Sequence, residues 1–399
     1  MDLLNKRIKN QRTLLVGNIF LISFLVMLVS SLIYYIGEFV GRPIIEVIKS
    51  DIVKIAVLGL IMLIIFWVGI IILYLKSGQL EIKYRFWGLV CGMIPVANII
   101  ALLIILKVSI SELIFEGKKI RLDKKRYDEK ICQTKYPILM VHGVFFRDFT
   151  HFNYWGRIPE ELEINGARIF YGEHESASNV EGSANELASR IRSIVEETAC
   201  TKVNVIAHSK GGLDIKYAIK NCGIGDMVAS VTTINTPHRG CEFADYLMNK
   251  AGEDLKRRVA KAYNGAFKLV GDKHPDFIAA VTDLTASTCK KISEDTDDFD
   301  YKSAAIFTQS VGSRLKKARG GKFPLNMSYL FVKNFDGPND GLVGKESFPW
   351  GEKFTFLENK YSKGISHGDM IDLNRINIKG FDVREFYVNL VSDLKSRGL

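Results

Sequence analysis

An α/β fold, a mostly parallel sheet with helices on both faces and a helical cap insertion, preceded by transmembrane helices, is the class the sequence predicts. Three observations predict it. Three apolar segments of about 20 residues lie in the first 110 positions, each long enough to cross a bilayer. From residue 136 onward, short β-branched apolar runs alternate with helical stripes, the pattern of a parallel sheet covered by helices. The run 203–206 stops at Ala207-His-Ser-Lys-Gly-Gly212 and gives way to a helix-like stretch, which reads as a strand, a sharp turn and a helix with Ser209 at the apex.

At 399 residues the chain has room for a membrane part and a domain with its own core. Its mean hydropathy of +0.08 is high for a soluble enzyme, and the excess lies near the N-terminus. Lys and Arg number 54 against 44 Asp and Glu, a net charge of +10. Nucleic acid is excluded as a partner for want of a zinc knuckle, recognition helix or aromatic RNA-binding signature. An anionic membrane surface suits the basic clusters better. The six cysteines show no paired spacing, which favours a reduced compartment over a disulfide scaffold or zinc site.

Segments 13–37, 55–75 and 86–106 contain no charged residue. They define a membrane region, 1–110, with two or three transmembrane helices. The first is longer than the apolar part of a signal peptide and further apolar segments follow it. The third carries Gly92, Pro95 and Asn98, which fit either a kinked span or a re-entrant hairpin. Lys6, Arg7, Lys9 and Arg12 before the first segment favour a cytoplasmic N-terminus, and Lys118, Lys119, Arg121, Lys124, Lys125 and Arg126 favour a cytoplasmic C-terminal part. Three full spans cannot satisfy both, and the balance leans to a cytoplasmic domain. Residues 111–135 read as a charged helical connector.

The domain 136–399 then unfolds in order. Residues 136–141 form a buried strand ending in His142-Gly143; 158–163 a helix; 167–171 a strand; and 184–197 a helix whose stripe is Leu187, Ile191 and Ile194. Strand 228–234 closes on Asn235-Thr-Pro-His-Arg-Gly240. From 241 to about 321 the strand rhythm lapses, as expected of a cap over a site or of a packed helical subdomain. Tyr246, Leu247, Ala262, Tyr263, Phe267, Phe277 and Ile278 would form its apolar underside. Strands are expected at 327–332 and 354–357, and an amphipathic helix at 383–394.

The turn at Ser209 has the small neighbours Ala207 and Gly211 that a strained nucleophile turn needs. In acyl-transfer hydrolases of this design, two backbone N–H groups form the oxyanion hole, one after the first strand and one after the nucleophile; here they are those of Val144 and Lys210. The partners follow in the order Ser, acid, His. Of the seven histidines, His142 and His208 belong to the oxyanion strand and the turn, and His151, His174, His238 and His274 precede the late strands. His367, in a glycine-flanked loop before the last helix, is left as the general base. Asp340, in Asn339-Asp-Gly-Leu-Val343, is the best orienting acid, with Asp336 its rival. No cofactor is called for.

Ala-His-Ser-Lys-Gly-Gly-Leu-Asp at 207–214, His142-Gly143 and Asn-Asp-Gly-Leu-Val at 339–343 with a late histidine resemble bacterial triacylglycerol lipases of the α/β-hydrolase superfamily. Tyr154-Trp155-Gly156 and Asp283-Leu284-Thr285 also resemble segments of those lipases. The resemblance covers about 136–395, not the membrane segments, and implies a catalytic triad at Ser209, Asp340 and His367 acting on lipid or other esters; the apolar segments add the expectation of a multi-pass protein of a bacterial cell membrane. Some such lipases hold calcium through an aspartate that Asp369 matches, yet 319–321 lacks the second aspartate; others hold zinc through paired histidines where this chain has only His274. No metal is therefore expected. A phospholipase, thioesterase, lipid deacylase or acyltransferase would share the triad. A scaffold that had lost activity would lack a triad member or the turn glycines, all of which are present.

Overall fold

The computed structural model describes residues 1–92, 94, 96–144, 154–173, 179–269, 277–321, 326–361 and 363–399. His151, His174, His274, Asn153 and Pro95 lie outside the described residues, as do the side chains of Phe267 and Phe277. The chain divides into two compact units, Met1–Arg126 and Tyr127–Leu399.

The first unit is helical: α1 (Asp2–Gly41), α2 (Ile44–Lys76), α3 (Ile82–Cys91) and α4 (Ala97–Arg126). Of these, α1, α2 and α4 are long and apolar enough to cross a membrane. The apolar segment 86–106 is not one helix: α3 and α4 meet at a break that contains Val96, whose φ of 67° is closed to an α-helix. The two helices form an antiparallel hairpin, with Gly88 against Ile105. The charged stretch 111–126 prolongs α4.

The second unit is an α/β sandwich. Its six strands are β1 (Ile138–Val141), β2 (Ile169–Tyr171), β3 (Val203–His208), β4 (Val228–Ile234), β5 (Phe307–Ser313) and β6 (Lys353–Leu357). They pair in the order β2-β1-β3-β4-β5-β6, every pairing parallel. Helices α5 (Ile158–Ile164), α6 (Val180–Thr198), α7 (Gly211–Asn221) and α13 (Val383–Ser396) cover the faces. Alternate residues of β1 show both faces buried: Ile138 and Met140 join Trp155, Leu162, Tyr387 and Val391, while Leu139 and Val141 join Leu187, Ile191 and Ile215. Asn179 caps α6 through the Gly182 N–H, and Asp382 caps α13 through those of Arg384 and Glu385.

Two expectations are corrected. The interval 241–321 contains a strand, β5, so the insertion ends before Phe307. It comprises α8 (Glu242–Asp245), a π turn (Tyr246–Lys250), α9 (Glu253–Leu269), α10 (Phe277–Thr282) and α11 (Ala286–Thr296). β5 escapes a hydropathy reading because its buried side chains are polar and satisfied by one another's neighbours: Gln309 donates to Thr232 Oγ1 at 3.0 Å and Ser310 to the Trp350 carbonyl at 2.6 Å. The strand expected at 327–332 is instead α12 (Tyr329–Asp336). Its buried residues, Tyr329 and Val332, are three apart, the helical and not the strand spacing.

Candidate active site

β3 carries Ser209 to the edge of the sheet. The residue has φ of 56°, in the left-handed region that costs a non-glycine residue about 1–3 kcal/mol. Its N–H donates to the Ile234 carbonyl at 2.9 Å, which pins the turn to β4. The clearance expected of Gly211 is real: a Cβ there would stand 2.5 Å from the His142 carbonyl oxygen. Gly143 serves the same end from the other side, since a Cβ would stand 2.7 Å from the Ser209 Cβ. That contact sets the 142–144 loop directly against the serine. Among the described residues, neither the Val144 nor the Lys210 N–H meets an acceptor. Lys210 also stands at the N-cap of α7, where the helix dipole favours negative charge.

Asp340 and His367 are in contact. The His367 Nδ1–H donates to Asp340 Oδ2 at 2.6 Å, which leaves Nε2 as the basic nitrogen. His367 N–H also donates to the Asp340 carbonyl at 2.9 Å. The carboxylate is fully buried. Its Oδ1 accepts from the N–H groups of Leu342 and Val343 at 2.9 and 2.8 Å, and its Oδ2 accepts from Asn235 Nδ2 at 2.6 Å. Asp340 follows α12 and not a strand; the end of β5 receives its loop through Leu315 N–H to the Asn339 carbonyl at 2.8 Å. Asp336, the rival acid, is engaged elsewhere. It accepts from the N–H groups of Glu242 and Phe243 at 2.9 and 3.3 Å and so anchors the start of α8.

Several residues around the site have no strong signal in the sequence. His208 turns its ring to 4.4 Å from that of His367. Tyr154 Oη is hydrogen-bonded to His208 Nδ1 at 2.7 Å and accepts from Gly143 N–H at 3.1 Å, so one phenol ties the 142–144 loop to the strand that carries the serine. Burial, with the His367 ring next, holds His208 well below the ordinary histidine range, which keeps it neutral. Asn235 bridges Ser313 Oγ and Asp340. His238 is stacked on Trp350 at 5.1 Å and takes no part in the site.

The Lys210 side chain runs into a buried ion pair. Its Nζ lies 2.7 Å from Asp214 Oδ1 and 3.1 Å from Ser183 Oγ, with Asp283 at 4.0 Å. The spacing Lys210 to Asp214, one helical turn, is the signal that could have found it. Removing one partner of such a pair leaves an uncompensated charge. Asp214→Ala is expected to destabilise the protein by about 3 kcal/mol, at the low end of the usual cost because Asp283 remains near. Thermal unfolding of the full chain in detergent measures it. A loss under about 1 kcal/mol would show that the pair does not matter to stability.

Asp369, the residue that matched a calcium ligand, accepts from the Ser366 N–H at 2.8 Å and so closes its own turn. Among the described residues, no group of three or more His, Cys, Asp or Glu is placed to hold a metal ion.

A doubly covered parallel sheet with a serine at the β3–α7 turn and a downstream Asp–His pair is the α/β-hydrolase fold. Comparison with known proteins agrees. The chain is similar to triacylglycerol lipases of Pseudarthrobacter phenanthrenivorans and Burkholderia plantarii, each 35% identical over 166 residues; these matches cover 39% of this chain and 51% and 46% of those proteins. It thus spans about half the length of these two relatives. A triacylglycerol lipase of Pseudomonas fragi is 25% identical over 295 residues, 67% of this chain and 98% of that one. Among solved structures, the propeptide form of Bacillus licheniformis lipase BlEst2 has a TM-score of 0.50 at 21% identity, covering 65% of this chain and 50% of that one, a likeness of fold. No protein-family model matches the chain.

Proposed function

We propose that the chain is a membrane-anchored serine hydrolase that cleaves carboxylic esters, lipid esters foremost, through an acyl-enzyme. The observation that carries this reading is the 2.6 Å bond from His367 to a buried Asp340, with the His367 ring 4.4 Å from that of His208, the residue that precedes Ser209 and its strained turn. Ser209 Oγ attacks the ester carbonyl while His367 Nε2 takes its proton. The N–H groups of Val144 and Lys210 stabilise the tetrahedral oxyanion, each such donor being worth about 10²–10³ in rate. His367 then protonates the leaving alcohol, and a water activated by the same nitrogen releases the acid. Every step uses groups of this chain. The similarity to triacylglycerol lipases and the apolar helices that precede the domain in the chain both favour a lipid ester.

The helical unit supports a topology in which α1 and α2 cross the bilayer and α3 with the first half of α4 forms a re-entrant hairpin. Arg7 near the start of α1 is 3.0 Å from Asp123 near the end of α4, so both basic clusters lie at one end of the bundle. Glu112 of α4 accepts from Gly78 N–H at 2.9 Å, just beyond the end of α2. Only about 16 residues of α4, about 24 Å of helix, therefore lie at the depth of α2, short of the roughly 30 Å hydrocarbon core. An even number of crossings satisfies the positive-inside rule at both clusters and puts the hydrolase domain in the cytoplasm.

One experiment tests the chemistry and the topology. A membrane-impermeant, charged fluorophosphonate is expected to label Ser209 in lysed cells and not in intact ones, on protein that stays with the membrane after alkaline extraction. Folded protein that fails to label in lysate would overturn the enzymatic reading, and labelling of intact cells would overturn the topology.

A further inference from the structure

We infer that the acyl group transferred to Ser209 is short, of about two to four carbons, so that the substrates are short-acyl esters and not long-chain triacylglycerols. The inference rests on the serine-hydrolase reading above and concerns the space beside its nucleophile. Ser209 opens onto a cavity of about 70 Å³ between the strand ends and the insertion. Its walls are apolar and come from α8 (Phe243), α10 (Val281), α12 (Val332) and the Asp340 loop (Leu342, Val343), with the Tyr263 ring of α9 across one side. A dry apolar cavity of about 150 Å³ accommodates benzene, six carbons. By that measure about 70 Å³ holds roughly three, so most of a chain of eight or more carbons lies outside these walls, without the burial they offer, or displaces one of them.

The wall is built to stay in place. Phe243 stacks on Phe331 of α12 at 5.4 Å and also meets Phe335 at 5.8 Å. The backbone N–H groups of Glu242 and Phe243 are held by Asp336 from the same helix. The residue that rivalled Asp340 as the orienting acid thus fastens the far wall of the acyl site. The alcohol side of the ester is not limited by this cavity, so a lipid alcohol bearing an acetyl to butyryl group fits both the membrane anchoring and the pocket.

The test is a chain-length series of p-nitrophenyl esters, acetate to palmitate, hydrolysed by the full chain in detergent and corrected by fluorophosphonate titration of active sites. The expected kcat/KM is greatest between acetate and butyrate and at least tenfold lower at octanoate. Phe243→Ala is expected to shift the optimum to longer chains; Val332→Ala, a smaller deletion on a separate helix, is expected to shift it less and serves if the first variant does not fold. Protein that titrates with fluorophosphonate but prefers octanoate or palmitate overturns the inference and leaves the catalytic reading standing. A native short-chain preference that neither variant alters also overturns it, because this cavity then does not select the acyl group. Protein that neither titrates nor hydrolyses any ester loses the catalytic reading, and the inference with it.

Discussion

Asp340→Asn is expected to lower kcat by about 10⁴ while the fold is kept. Oδ1 accepts two backbone N–H groups, from Leu342 and Val343, so the amide oxygen of an asparagine must take that place. The NH₂ group then faces His367 Nδ1 and Asn235 Nδ2, both of which donate to Oδ2 in the native protein. Two donors cannot share one hydrogen bond, so His367 must move its proton to Nε2, and the nitrogen that should accept the serine proton no longer can. Steady-state turnover of a short ester measures this, with the circular dichroism of the variant compared to native. A loss of less than tenfold would show that Asp340 does not orient the base. Asp336→Asn is the comparison, because its carboxylate meets the start of α8 and the acyl wall and not His367, so its effect is expected on chain-length preference and not on the base.

How much of this was readable beforehand depends on how local each feature is. The turn at Ser209, the buried β-branched runs of β1, β3 and β4, and the half-exposed aromatic run of β6 each carry their signal within a few residues. β5 was hidden because its neighbours in space, Thr232, Trp350 and Asn235, satisfy the polar atoms that make it look exposed. The stretch 327–332 reads as a strand because Met327, Leu330 and Phe331 make it apolar; those three are exposed side chains, and only Tyr329 and Val332 of the helix are buried. The loop around Asp340 and its order in the chain mark it in the sequence, although the element before it is a helix and not a strand. The Tyr154–His208 bond spans 54 residues and Asn235–Asp340 spans 105, so no local pattern announces either. Gly92, Pro95 and Asn98 signal the break in the third apolar segment, whereas the Arg7–Asp123 pair joins residues 116 apart and has no local signal.

Ser209→Ala is expected to remove about 10⁶ of kcat, and His367→Ala in that background to remove almost nothing more. The reason is that the histidine acts only by moving the serine proton. Once the hydroxyl is gone, the Asp340–His367 bond has no proton to direct, and the penalties of the two changes overlap instead of adding. What persists is the contribution of Val144 and Lys210, whose N–H groups still face a carbonyl attacked by water, worth a residual of about 10³–10⁴ over the uncatalysed rate. Measuring kcat for the two single variants and the double variant decides the matter. If the double variant were a hundredfold slower than Ser209→Ala, His367 would have a second task, such as activating water directly, and the two residues would not form one unit. If the residual rate of Ser209→Ala were lost as well, the oxyanion hole would lie elsewhere than at the 142–144 loop that Gly143 allows to pack against the serine.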